Sequence, residues 1–209
     1  MSQEPDDFDP SFTRWLHVTL TTRNSWLHGD HRGFRDKGHK LHSSGDYRNR
    51  PPLGEHASVH AFYRSRSDGV SPRFDKDTRI KVCDVVVDKL VEQRQQPVVV
   101  AVVSNHLHFL ARFPDDRRAT NRLIGQVKRR VTRRLDGSES PTFSQGAGIE
   151  VINDRSHQEA TFRYVRDKQG SDAAVWVHGM SRPGATLRSA LGFDTRRSTG
   201  RPGASGASG

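Results

Sequence analysis

The chain reads as an α+β domain in which an antiparallel sheet carries helices on one face. Three observations predict this. A first strand shows period-two alternation, two later strands are separated by only two residues, and three stretches with helical apolar spacing fall between and after the strands. The resulting order is β-α-β-β-α-β-α.

Each element has its own warrant. In RWLHVTLTT, Leu16, Val18 and Leu20 alternate with Trp15, His17 and Thr19, as expected of a strand with one packed face and one more polar face. Residues 23–60 are rich in His, Gly, Arg and Pro, too polar and too punctuated by turn formers for a long regular element, and read as a loop insertion. Over residues 77–94, Ile80, Cys83, Val87, Leu90 and Val91 lay an apolar stripe along a helix that Gln95, Gln96 and Pro97 end. The run PVVVAVV at 97–103 is β-branched throughout its centre, as for a strand buried on both sides. HLHFLARF then alternates strictly: Leu107, Phe109, Ala111 and Phe113 share a core face, while His106, His108, Leu110 and Arg112 share the other. Ser104 and Asn105 form the turn between them, and Asn tolerates the positive φ that tight hairpins favour. Residues 117–135 place Leu123, Val127, Val131 and Leu135 at four-residue steps, a second helix. GIEVIND supplies a further short strand. Ser156 and Glu159 have capping-box spacing for a third helix through about Gln169, with Gly170 as its stop.

Composition bounds the function. The 209 residues suit a single domain, with a net charge of +10 and only 32% hydrophobic residues. Cys83 is the only cysteine, which excludes a disulfide framework or a Cys-rich metal module and fits a reducing, cytoplasmic setting. No apolar run approaches the ~18 residues of a membrane span, and the acidic opening MSQEPDDFDP is unlike a signal peptide, so no membrane partner is expected. Residues 1–12 and 195–209 read as disordered ends, 13–170 as one domain containing the 23–60 insertion, and 171–194 as a C-terminal extension. The positive balance suits a polyanion.

Three groups of residues carry candidate chemistry. His106 and His108 are two apart on a strand, so both rings leave the same face about 7 Å apart at Cα and can converge on one divalent ion; two polar residues on a solvated sheet face is the alternative. If the third helix packs through Phe162 and Val165, Tyr164 falls on its flank with its hydroxyl outward, placed either as a wet core tyrosine or as a nucleophile toward a phosphodiester. The second helix carries eight Lys or Arg and no acid between positions 117 and 134. Mixed-sign surface patterning is absent there, which makes Arg122, Lys128, Arg129, Arg130, Arg133 and Arg134 candidate DNA contacts.

Together the hairpin VVVAVVSNHLHFLARF, the helix NRLIGQVKRRVTRR and the approach NDRSHQEATFRYVRD to a helical tyrosine resemble the single-tyrosine HUH transposases of insertion sequences, including the REP-associated tyrosine transposases. The similarity covers residues 14–20 and 78–170. It implies a ferredoxin-like (RRM-like) sheet of the HUH endonuclease type. It further implies Mg2+ or Mn2+ held by His106 and His108, with Tyr164 cutting single-stranded DNA to leave a 5′-phosphotyrosine that the freed 3′ hydroxyl later reverses. Single-stranded or hairpin DNA at the nucleoid would be the partner, and a homodimer is left open. Where the family places a third polar ligand four residues after the tyrosine, this chain has Lys168, which cannot ligate a cation. Asp167, about 60° from Tyr164 on the helix, and Gln169, one step further on, are the available substitutes. The alternative function is a non-catalytic or domesticated protein that binds single-stranded or hairpin nucleic acid, with Trp15, His17 and Thr19 as a stacking platform.

Overall fold

A computed structural model of the chain describes residues 13–32, 34–36, 39–41, 52–67, 69, 71–135 and 141–180. In chain order the elements are β1 (Thr13–Thr21), β2 (Phe34–Asp36), β3 (His39–Leu41), α1 (Ala57–Arg66), α2 (Lys76–Glu92), β4 (Gln96–Val102), β5 (His106–Pro114), α3 (Arg117–Leu135), β6 (Gly148–Val151), α4 (Arg155–Asp167) and β7 (Ala174–Val177). The main sheet has the order β6-β1-β5-β4-β7, with every neighbouring pair antiparallel. The β1-α2-β4-β5-α3-β6 portion is the ferredoxin-like arrangement, and β7 extends it beyond β4.

Alternation builds two cores on this sheet. Leu16, Val18 and Leu20 of β1 join Leu107, Phe109, Ala111 and Phe113 of β5 on one face, beneath Val82, Cys83, Val86, Val87 and Leu90 of α2 and Ile124, Val127 and Val131 of α3. On the other face Val99, Ala101 and Leu110 pack against Ile152 and Val165, with Trp15 and Phe162 partly buried beside them. The β-branched run of β4 serves both cores, since Val100 and Val102 face one and Val99 and Ala101 the other.

The antiparallel α+β class therefore holds, while one helix lies elsewhere than expected. α4 crosses the face opposite to α2 and α3, because its apolar residues meet Leu110 and Val99 rather than Leu107 and Phe109. What reads in sequence as an open, polar sheet face is a second, smaller core.

Other boundaries also move. α4 begins under Asp154, whose carboxylate accepts the His157 amide proton at 2.8 Å, and not under a Ser156–Glu159 box; Glu159 instead pairs with Arg155 at 2.9 Å. Val91 is exposed, and Val82 and Val86 fill the core in its place. The β4–β5 turn closes with the Val103 amide donating to the His106 carbonyl, and Asn105 is not among the positive-φ residues. β7 pairs with β4, so the folded unit runs past residue 170 into the expected extension. Within the expected 23–60 loop, β2 pairs with β3 and α1 starts at Ala57. Gly29, at φ +79, lets the chain pass α1 closely: a Cβ there would lie 2.5 Å from the His60 amide nitrogen. The expected disordered ends lie outside the described residues, as do residues 42–51 of that loop. Among the described residues no helix is long and apolar enough to cross a membrane.

Phe109 is fully buried at the centre of the larger core. Phe109→Ala is expected to cost about 3–5 kcal/mol, read as a lower urea midpoint with an unchanged slope.

Candidate active site

Strand pairing sets the site. β1 and β5 lie in a register that places Thr19 opposite His108 and Thr21 opposite His106, while β6 places Glu150 opposite His17. Three residues of β1's second face are thereby drawn in beside the two histidines.

The contacts form a directed chain. The Glu150 carboxylate can only accept, so His17 Nδ1 donates to it at 3.1 Å. In a neutral ring this leaves His17 Nε2 bare, and it accepts from His108 Nδ1 at 3.1 Å, with Thr19 Oγ1 at 3.0 Å from the same nitrogen. His108 Nε2 then carries the lone pair, and that atom is buried without a hydrogen-bond partner. His106 is fixed similarly: its Nδ1 donates to the Asn105 side-chain oxygen at 2.9 Å, leaving Nε2 bare. The two rings stand 4.9 Å apart, nearly perpendicular at 88°.

Tyr164 closes the arrangement from α4. Its ring meets His108 edge-on at 5.6 Å and His17 at 6.0 Å, and 44% of the residue remains exposed. Val165, the next residue, is fully buried against the sheet, which holds the tyrosine on the helix flank.

Beyond the helix end, Gln169 folds back. Its Nε2 donates to the Tyr164 carbonyl at 3.1 Å, and its side chain lies beside His106, whose charged form it favours. Asp167 is turned away, held by Arg166 at 2.7 and 2.8 Å. Of the two substitutes for a third ligand, Gln169 lies beside His106 and Asp167 does not. Among the described residues no group of three or more His, Cys, Asp or Glu is placed to hold a metal ion. The donor set available here is two imidazoles and an amide oxygen. An orphaned, buried imidazole nitrogen beside a second bare one fits a divalent cation.

Burial tunes both rings toward the neutral form. His106 lies below its ordinary pKa because burial disfavours its charge, partly offset by Gln169. His108 is pushed down to about 3 by burial and by its neighbours His106 and His17. Neutral imidazoles keep their lone pairs available as ligands.

The cationic helix sits elsewhere. α3 packs on the Leu107–Phe109 face, so its charges and the histidines lie on opposite faces of the sheet. Lys128 is spent internally, donating to the Ser144 carbonyl at 2.7 Å and to the Gly146 carbonyl, and burial lowers its pKa. Arg130 pairs with Glu92 at 2.8 Å. Arg122, Arg129, Arg133 and Arg134 are exposed. At 100° per residue Arg118, Arg122, Arg129 and Arg133 form one stripe facing away from the core.

The sequence places His17 and Thr19 on the histidine face as a stacking platform and Asn105 in the turn; the structure makes them hydrogen-bond partners of His108 and His106 instead. Glu150 was missed, and becomes visible only once β6 is paired with β1.

No protein-family model matches the chain, and no curated protein matches it. One solved structure, a REP-associated tyrosine transposase bound to a REP hairpin, is similar over 79% of this chain and 70% of that chain, with a TM-score of 0.38 and 10% identity.

Because the unfolded chain protonates a histidine near its ordinary pKa and the folded chain resists it, stability is full above about pH 6.5 and falls as the pH drops below that value. Urea unfolding in EDTA should show a loss of up to about 1.4 kcal/mol per pH unit for each proton withheld, and His108→Gln should flatten that slope.

Proposed function

We propose that this protein is a metal-dependent DNA strand transferase of the single-tyrosine HUH kind, a transposase or single-strand endonuclease acting on single-stranded or hairpin DNA. The supporting observation is the meeting of two neutral, tautomer-fixed imidazoles with the flank-mounted Tyr164.

In this reading His106 Nε2, His108 Nε2 and the Gln169 amide oxygen would hold Mg2+ or Mn2+. When bound, that cation neutralises phosphate charge and favours attack on phosphorus. Glu150, His17 and Thr19 keep the His108 proton on Nδ1, so that its other nitrogen stays a ligand. The Tyr164 hydroxyl gives up its proton and its oxygen forms the new P–O bond. The bond to the 3′ oxygen breaks, that oxygen takes up a proton, and the 5′ phosphate remains on the tyrosine. Attack by the 3′ hydroxyl reverses the step with no net loss of phosphodiester bonds, so no nucleotide cofactor is consumed. The exposed arginines of α3 would hold the remainder of the DNA on the far face of the sheet.

Single-stranded and hairpin oligonucleotides taken from the DNA flanking its own coding region, incubated with the protein and Mn2+, should yield a covalent adduct on a denaturing gel. Tyr164→Phe should abolish the adduct and leave DNA binding intact. An adduct of wild-type yield from Tyr164→Phe overturns the nucleophile; binding without any adduct from the wild type supports the non-catalytic alternative.

Two further outcomes follow from the surrounding residues. His17→Ala is expected to weaken Mn2+ affinity by about 10–100-fold in competition with a chelating dye. Exchanging Arg122, Arg129 and Arg133 for glutamine should reduce the salt dependence of single-strand binding by about 2 in log–log slope, with adduct chemistry retained at low salt.

A further inference from the structure

On the same sheet face as the histidines lies a cavity. It has a volume of roughly 740 Å3 and is lined by Trp15, Val98, Leu110, Ile152, Phe162 and polar groups of the α4 N-terminal half. The three elements that build the histidine–tyrosine site also build this cavity, each from a position two residues away. Trp15 precedes His17 on β1, Leu110 follows His108 on β5, and Phe162 precedes Tyr164 on α4. Along the strands two residues amount to about 7 Å on one face. On the helix the same step turns about 200°, which carries Phe162 to the opposite flank from Tyr164.

The lining has a definite chemistry. Val98, Leu110 and Ile152 give it aliphatic walls and Trp15 and Phe162 two aromatic rings; Arg166, on the lining, is 5.3 Å from the Phe162 centroid, and Arg112, beside it, 5.8 Å from that of Trp15. Arg112 Nε is buried without a hydrogen-bond partner. Arg163 commits only its Nε, to the Glu159 carbonyl, and makes no salt bridge among the described residues. Of the two acids at the rim, Asp154 is occupied in capping α4 and Glu159 in pairing with Arg155. Asn153 and Gln158 add neutral groups able to both donate and accept. Apolar walls with two aromatic rings, neutral hydrogen-bonding groups and a cationic margin match a nucleobase and its phosphate better than an aliphatic or acidic peptide.

We propose that this cavity binds an unpaired nucleobase of the DNA strand being processed, stacked on Trp15 and Phe162, with a neighbouring phosphate on Arg163. The proposal rests on the reading that the histidine–tyrosine site works on single-stranded DNA, and deepens it by adding a base-holding subsite. A strand gripped at a stacked base and at the scissile phosphate is fixed at two points, which orients the bond for attack.

Fluorescence anisotropy of labelled oligothymidylate in EDTA tests the subsite separately from cleavage. Trp15→Leu keeps apolar bulk and removes the aromatic face; it should bind about tenfold or more weakly, while Trp15→Phe stays within about twofold of wild type. Phe162→Leu should show the same loss, and provides the reading if Trp15→Leu does not fold. Affinity for a blunt duplex should be unchanged in both leucine variants, a result that general loss of structure would not produce. Oligothymidylate affinity equal to wild type in the folded leucine variants overturns the proposal, as does a change of oligomeric state in its place, which would assign the cavity to a second copy of the chain. The two readings fail separately: no adduct from the wild type with weakened binding by Trp15→Leu removes cleavage and keeps the subsite, whereas a normal adduct with unweakened binding removes the subsite alone.

Discussion

β5 is shared between two cores, and its pairing with β1 has to satisfy both at once. Leu107, Phe109, Ala111 and Phe113 must face α2 and α3, while His108 and Leu110 must face α4. A strand's side-chain period is two, so a slip of one residue against β1 would bring His17 and Thr19 under α2 and push Leu16 and Val18 beneath α4. The larger core forbids that exchange by burying β1's apolar set completely. Its hydrophobic free energy therefore aligns Thr19 with His108 and, through β6, Glu150 with His17. The polar chain on one face is held in place by packing on the other.

Burial has a second effect on the same residues. α4 covers enough of the sheet to remove water from His108, and the loss of hydration holds the ring neutral. A neutral imidazole needs its single proton directed, and the Glu150–His17 relay directs it to Nδ1. Tyr164 escapes burial because it sits one residue from the helix's packed position, which turns it about 100° out of the core. One helix thus supplies desolvation for His108 and exposure for Tyr164. On the other side of the sheet, α3 keeps its arginines clear of the core.

Several features were legible in the chain alone because they are local. The alternation in HLHFLARF separates His106 and His108 from Phe109 and Phe113 without any knowledge of neighbours, and the spacing of Val165 and Tyr164 places the hydroxyl on a flank. Other features were not. Asp154, rather than Ser156, caps α4 because the exit from β6 sets where helical geometry can begin. Gln169 looked one step too far for a ligand on an ideal helix, but α4 ends at Asp167, and beyond that point the angular rule no longer applies. Lys128 and Arg130 look like their neighbours in sequence; the Ser144 and Gly146 carbonyls and Glu92 that occupy them are distant in the chain.

The charge of +10, the single cysteine, the strand and helix periods and the His-x-His pair belong to the sequence by itself, since each follows from composition or from side-chain spacing within one element. Tertiary structure alone decided which face of the sheet α4 covers, and hence that His17, Thr19 and Glu150 stand behind His108, that Gln169 lies beside His106, and that the cationic helix lies opposite the site. Periodicity states which residues share a face. Only the competition between elements for buried area states what that face will meet.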